Sequence, residues 1–383
     1  MEEKGRIGIP KALMFYRYFP LWKTFFEALG WKVVVSGGVG KRGKIIYFED
    51  SCLPMKLLVT HSVDLKDKVD HLFVPRLVSL HRTTIMCPKF RGAPDIVRLA
   101  TEGNVSIIDE TIDLRVRGYS FLQSFSRIGE KLGASKKESK KAFHKAEQSF
   151  SNFQKGWEDR INRLPAGQLF ELEIPTPSAP MISSIPGDCV SKSKLRQNVM
   201  LDLFQHLIRT INDETLKRVQ GDKKRVTTKS LAGADEEEKG DFKVAFIGHP
   251  YNLFDTDVNK NILSFAKGLG MRIITSDALS EKEVSQQISG LSKEIYWSSG
   301  REIVGSLFHF LSGGVDGVVF LTSFKCGIDA LLQEFVKRRL KVRGGTPIPL
   351  LVLSLDEHTG REGLTTRLEA FRDVMEERKI SSE

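Results

Sequence analysis

One pattern occurs twice in this chain and constrains its fold more than any other. Arg6-Ile-Gly-Ile-Pro10 is a short apolar run that ends in Gly and Pro. A helical stretch follows, opening at Pro20 with Leu21, Phe25, Phe26 and Leu29 at helical spacing and stopping at Gly30; Trp31-Lys-Val-Val-Val-Ser36 is the next apolar run. The second half repeats this order with Phe242–Pro250, Val258–Leu269 before Gly270, and Met271–Ser276. Each copy reads as a β-α-β unit, whose strands should be parallel and whose crossover should be right-handed. The expected fold is therefore α/β, with two similar Rossmann-like parallel-sheet domains facing each other across a cleft, a preferred place for a ligand.

At 383 residues the chain suits two or three domains. An N-terminal α/β domain is expected over 1–110 and a C-terminal one over 242–383. Between them, 111–215 reads as an inserted helical segment. There Ser135-Lys-Lys-Glu138 is a capping-box pattern, and Phe143, Ala146, Phe150, Phe153, Trp157, Ile161 and Leu164 form one apolar stripe before Pro165. The stripe is expected to pack on its own protein, with a homodimer face as the alternative. A Pro/Ser-rich stretch, Ile174–Pro180, and a helical pattern near Leu195–Ile211 follow. Blocks of charge over 216–241 read as a linker.

Three cysteines fall after runs that read as buried parallel strands: Cys52 after Lys44–Phe48, Cys87 after His71–Pro75, and Cys326 after Asp316–Leu321. Ligand sites in open α/β sheets form beyond the carboxyl ends of strands, so the three thiols are expected to meet as ligands of an iron–sulfur cluster. Cys52 stands just before Pro54, which is favoured in the first turn of a helix; the helix dipole there is expected to lower the thiol pKa. Lys56, Lys89 and Lys325 lie within four residues of these cysteines and would offset the charge of thiolates. Zinc held by the same thiols with a histidine is the metal alternative, although no close Cys-x-x-Cys pair is present. The remaining alternative is that each cysteine is a small buried hydrophobe. Cys189 lies outside the strand-end pattern and reads as a free thiol or a distant fourth ligand.

Other candidates stand at predicted strand ends. His249, in Gly248-His249-Pro250, and His358 are suited to hydrogen bonding around a metal centre, to acid/base work, or to capping a loop. Arg367 could bind a coenzyme phosphate or pair with Asp356. The glycine-rich Ser36–Gly40 lacks dinucleotide or Walker spacing, so ATP binding by this chain is not expected.

The net charge of +10 admits nucleic acid, phosphate-bearing coenzymes or acidic proteins as partners. Much of it sits in Lys131–Lys145 and Lys217–Lys229, which read as a solvated helix face and a linker, and no nucleic-acid-binding motif accompanies it. Nucleic acid is therefore not an expected partner. No signal pattern opens the chain and no apolar run is long enough for a membrane span. Four scattered cysteines suit a reducing cytoplasm better than a disulfide framework.

Taken together, Ile7-Gly-Ile-Pro-Lys-Ala-Leu13, Cys52-x-Pro-x-Lys56, Cys87-Pro-Lys-Phe90, Gly248-His-Pro-Tyr251, Cys326-Gly-x-Asp329 and Asp356-Glu-His-Thr-Gly360 through Thr366-Arg-Leu-Glu-Ala-Phe371 resemble the acyl-CoA dehydratase activase-related proteins, also called CoA-protein activases. These are similar to the cluster-binding subunits of 2-hydroxyacyl-CoA dehydratases and to double-cubane reductases. The resemblance implies a 4Fe-4S cluster or a double cubane held by Cys52, Cys87 and Cys326, with one iron position open or bridged. It implies a separate ATP-dependent activase as partner, supplying low-potential electrons for an acyl-CoA or another hard-to-reduce substrate. A non-catalytic scaffold in an activase or dehydratase complex is the alternative.

Overall fold

In the computed structural model the first repeat is β1 (Arg6–Ile9), α1 (Phe15–Ala28) and β2 (Lys32–Val35); residues 4–37, 45–46, 48, 51–155, 242–291, 294–341 and 348–382 are described. Helix α1 starts five residues before Pro20 and runs through it. An interior proline costs about 3 kcal/mol. Against this, α1 buries eight side chains, among them Phe15, Trp22, Phe25 and Phe26, each contributing about 1.5–3 kcal/mol. Burial wins, so the proline does not open the helix as its sequence position suggests. Gly30 does stop it: at φ +86°, its N–H donates to the Glu27 carbonyl while that of Trp31 reaches the Phe26 carbonyl, both at 3.0 Å, the pairing of a Schellman cap.

The chain continues through α2 (Leu53–Leu65), β3 (His71–Phe73), β4 (Arg76–Ser79), α3 (Pro88–Ala100), β5 (Ser106–Ile108), β6 (Thr111–Asp113), α4 (Phe121–Lys131) and α5 (Lys136–Lys155). The second half comprises β7 (Phe242–Gly248), α6 (Pro250–Phe254), α7 (Thr256–Asn259), α8 (Ile262–Gly268), β8 (Met271–Thr275), α9 (Glu281–Ile288), α10 (Ser298–Ser312), β9 (Gly317–Ser323), α11 (Gly327–Lys341), β10 (Leu350–Leu355) and α12 (Arg361–Ser382).

Two four-stranded sheets result, ordered β2-β1-β3-β5 and β8-β7-β9-β10, with every pairing parallel. The strand orders are the same, so the repeated sequence pattern is a repeated topology. In each sheet the order reverses beside the first strand, at β1/β3 and at β7/β9, which places a crevice beyond the carboxyl ends of those strands. A small parallel sheet, β4-β6, extends the first half.

Two sequence expectations fail locally. Ile45, Ile46 and Phe48 form no strand; the Ile46 N–H donates to Thr60 Oγ1 on α2 at 2.9 Å, so a helix side chain takes the place of a strand partner. The helix expected over Val258–Leu269 breaks at Lys260 and Asn261, both left-handed. Asn259 is the cause, since its Nδ2 donates to the Asn252 and Leu253 carbonyls and its Oδ1 accepts from the Asn261 N–H. Such bonds compete with the helix ladder.

The Ser135–Glu138 capping box is formed, with Ser135 N–H bonded to Glu138 Oε2 at 2.8 Å and Glu138 N–H to Ser135 Oγ at 3.3 Å. Helix α5 packs against α1 and α4, burying Phe143 and Ala146 and setting Phe150 against Tyr18 at 5.4 Å. The described part of the apolar stripe therefore packs on its own protein, while Trp157, Ile161 and Leu164 lie outside the described residues.

The chain divides into two units, Met1–Leu172 with Lys239–Ile288 and Ile295–Glu383, and Glu173–Glu238 with Ser289–Glu294. Both large sheets belong to the first. Of the second, almost everything lies outside the described residues, including Ile174–Pro180, Leu195–Ile211, Cys189 and nearly all of the charged linker. Among the described residues no helix is long and apolar enough to cross a membrane.

Candidate metal centre

Helix starts carry the cysteines. Cys52 is the N-cap of α2, with Pro54 in its first turn, and Cys87 is the N-cap of α3 directly before Pro88. Cys326 immediately precedes α11, and its carbonyl accepts the Ala330 N–H at 3.1 Å. The turn before it is set by Lys325, a non-glycine residue at φ +61°, a conformation that L side chains adopt only at a cost. Three helices of 13, 13 and 15 residues thus direct their N-terminal ends at the thiols, and the positive ends of their dipoles favour negative charge there.

These segments are far apart in sequence and together in space. Cys52, Cys87 and Cys326 act electrostatically on one another, and the Lys89 charge acts on the Cys52 sulfur. The helix dipoles do not make reactive thiolates of Cys52 and Cys87. Burial pushes the Cys52 thiol up, against the opposing charge of Lys89. For Cys87, burial outweighs the bond from the Lys89 backbone and pushes the thiol up to about 11. Desolvation of a sulfur that has lost its water exceeds what a helix end returns, which corrects the expectation of a lowered Cys52 pKa. A bound metal would reverse that balance, because it deprotonates a coordinating thiol outright.

Beside Cys326 lies a second feature. His249, the N-cap of α6, and Asp329, in the first turn of α11, are both buried, and His249 Nε2 stands 2.7 Å from Asp329 Oδ1. The ligand atoms of His249, Cys326 and Asp329 all lie within 4.8 Å of one another. Burial pulls the imidazole down, but Asp329 and Cys326 outweigh it and raise the ring to about 10. The 2.7 Å approach lacks hydrogen-bond alignment, so both ring nitrogens and Asp329 Oδ1 are buried without an aligned partner. Asp329 Oδ2 is anchored by the Ser323 N–H at 2.7 Å. On its other side the His249 ring stacks on Tyr251 with centroids 4.8 Å apart, and Tyr251 feels the charges of Cys326, Asp329, Cys52 and Cys87. Tyr251 and Asp329 received no role from the sequence. The signal for both was present, since each falls within a few residues of a strand end, in Gly248-His-Pro-Tyr251 and Cys326-Gly-x-Asp329.

Gly248 closes this wall. At φ +156°, a Cβ added here would lie 2.6 Å from the Leu321 carbonyl oxygen, so only glycine lets β7 and β9 meet where His249 and Cys326 leave them. Asn252 ties the same strand ends, donating from Nδ2 to the Leu321 carbonyl at 3.2 Å and accepting from Ser323 Oγ at 2.7 Å.

The remaining candidates are spread around this centre. Lys56 is 2% exposed and forms a 2.7 Å ion pair with Glu357. Lys325 and His358 are exposed, and the His358 N–H bonds to Asp356 Oδ1 at 2.9 Å in a turn. Arg367 is exposed on α12, and Asp356 is engaged by His358 and Thr359 instead. Elsewhere the two halves meet through Arg17–Glu302 at 2.6 Å, His81–Glu281 at 2.9 Å and Thr84–Ser298 at 2.7 Å.

The donor set suits a metal bound by soft ligands. Among the described residues the ligand atoms that gather within 4.8 Å of one another are those of His249, Cys326 and Asp329.

No curated protein gives a significant match to this chain. A solved structure described as the glycotransferase of kitacinnamycin aligns with 11% identity over 97% of this chain and 94% of that one, at a TM-score of 0.17, an overlap too slight to carry an argument. Residues 6–170 match the family described as a CoA enzyme activase uncharacterised domain, in keeping with the activase-related resemblance of the sequence.

Proposed function

We propose that Cys52, Cys87 and Cys326 hold an iron–sulfur cluster, either a 4Fe-4S cubane or half of a double cubane, and that the chain works as a component of a CoA-enzyme activase system. The observation that carries this reading is the meeting of three thiols from separate helix N-termini. Such a cluster, when bound, takes up and releases single electrons at a potential set by its charge, hydrogen bonds and solvent exposure. The chain's own residues bind and tune it. The helix ends and Lys89 compensate thiolate charge, and Lys325 adds positive charge beside Cys326. Lys56 holds the Cys52 helix against the second half through Glu357. His358 and the exposed Arg367 are left for contacts with an acyl-CoA, Arg367 through a phosphate. The electrons come from a separate ATP-dependent activase and go to an acyl-CoA or another hard-to-reduce substrate.

The test is iron and acid-labile sulfide content with an absorbance spectrum, on protein purified without oxygen, alongside Cys52→Ala, Cys87→Ala and Cys326→Ala. About four irons per chain or per cubane, lost in each variant, are expected. A colourless wild-type protein that stays iron-free after reconstitution sinks the reading and leaves a scaffold role in the activase complex.

A second reading is favoured by the close grouping of His249, Cys326 and Asp329, which is of a size for one divalent ion. It expects a single zinc or iron per chain that survives Cys52→Ala and Cys87→Ala but not His249→Ala.

A further inference from the structure

The buried His249 ring is held on two sides and unpartnered on a third. Its Nε2 faces Asp329 Oδ1 at 2.7 Å and its plane stacks on Tyr251 at an interplanar angle of 16°. A ring nitrogen and the Cys326 sulfur lie within 4.8 Å of one another, yet neither Nδ1 nor Nε2 has an aligned acceptor among the described residues. A buried donor left without a partner costs about 1–3 kcal/mol, and native interiors leave few of them. The surroundings do not otherwise relieve this one, for Asp329 is itself fixed by the Ser323 N–H, and Gly248 and Asn252 bind β7 to β9 on either side of the ring. An acceptor arriving at Cys326 would complete the arrangement.

We propose that His249 is a positioning residue of the metal centre, donating a ring N–H to sulfur at the Cys326 corner and thereby raising the reduction potential of the centre. The proposal rests on the cluster reading given above. Hydrogen bonds to sulfur withdraw electron density from an iron–sulfur centre and make its reduction easier, and outer residues that orient metal ligands tune the metal they surround. Asp329 and Tyr251 serve this role indirectly, by fixing the ring. The three corners are then inequivalent, since the Lys89 charge acts on Cys52 and His249 lies beside Cys326.

The experiment compares the full-length wild type with His249→Phe, which keeps a stacking ring without a donor, and His249→Gln, which keeps an N–H donor. All three are reconstituted with iron and sulfide. Iron content is measured first, then the midpoint potential by a redox titration followed by electron paramagnetic resonance. The expected result is equal iron in all three, a potential shifted to more negative values in His249→Phe, and partial recovery in His249→Gln. Equal iron with an unshifted His249→Phe overturns the proposal. So does a folded His249→Phe that binds no iron, because His249 would then be a ligand. Should the Phe variant fail to fold, His249→Met takes its place in the same comparison. A wild type that binds no iron fails the cluster reading itself, an outcome distinct from an iron-loaded wild type whose variants do not shift.

Discussion

Lys56 Nζ lies 2.7 Å from Glu357 Oε1 although the two residues are 301 positions apart. The ammonium is 2% exposed, and the pair joins the helix that Cys52 caps to the loop after the last strand of the second sheet. Burial pulls the Glu357 carboxyl up, but the hydrogen bond and charge of Lys56 more than offset it and hold the group below its ordinary range. Removing Glu357 takes a charge-paired acceptor from a buried ammonium, which costs about 1–3 kcal/mol. Glu357→Ala is therefore expected to lower unfolding stability by that order, measured by chemical denaturation. Lys56→Met, which removes the buried charge itself, is expected to cost less. Equal losses from the two would show that packing, and not the stranded charge, dominates.

Gly248→Ala tests the meeting of β7 and β9. Its Cβ would fall 2.6 Å from a backbone oxygen at a φ of +156°, so β7 and β9 must separate or the backbone must change. A loss of about 1–3 kcal/mol is expected, together with reduced iron loading if the proposed cluster is bound, because His249 and Cys326 leave these two strands. A thermal melt with metal analysis checks both; an unchanged melting temperature counts against the close approach.

His61 on α2 is expected to make the protein acid-sensitive. It is 2% exposed, and burial, with the nearby Lys11 charge, lowers its pKa to about 4. Above about pH 6.5 the imidazole is neutral both folded and unfolded, and its titration has no effect on stability. As pH falls below 6.5 the unfolded chain takes up the proton first, so stability is lost progressively until about pH 4. The full loss is about 3 kcal/mol. Denaturation of wild type and His61→Leu across pH 7 to 4 should show a shallower decline in the variant, and parallel curves would remove His61 as the cause.

Ser135→Ala probes the α5 cap. Ser135 Oγ and N–H both meet Glu138 Oε2, at 2.7 and 2.8 Å, and burial plays no part because Glu138 is exposed. The substitution is expected to cost about 1 kcal/mol, read as a small drop in the denaturation midpoint, with Ser135→Asp retaining most of it. A Ser135→Ala protein as stable as wild type would mean that packing of α5 on α1 alone sets its start.

Local patterns carried much of the architecture. The two strand-helix-glycine-strand repeats, the capping box at Ser135 and the stops at Gly30 and Gly270 depend on residues within a few positions of one another, and spacing alone reveals them. The same locality placed Cys52, Cys87, Cys326 and His249 at the ends of secondary-structure elements. What failed or stayed hidden needed partners from elsewhere in the chain. Pro20 could sit inside α1 because eight side chains found a core to enter, and Ile45, Ile46 and Phe48 gave up strand form where Thr60 offered another acceptor. The raised thiols of Cys52 and Cys87 follow from burial, which a dipole argument along one helix does not contain. His249–Asp329 and Lys56–Glu357 join residues 80 and 301 positions apart. Sequence therefore determined which segments end in ligating or charged residues. Only the tertiary structure decided which of those ends meet and how much water they lose on meeting, because desolvation and charge pairing depend on distance in space and not along the chain.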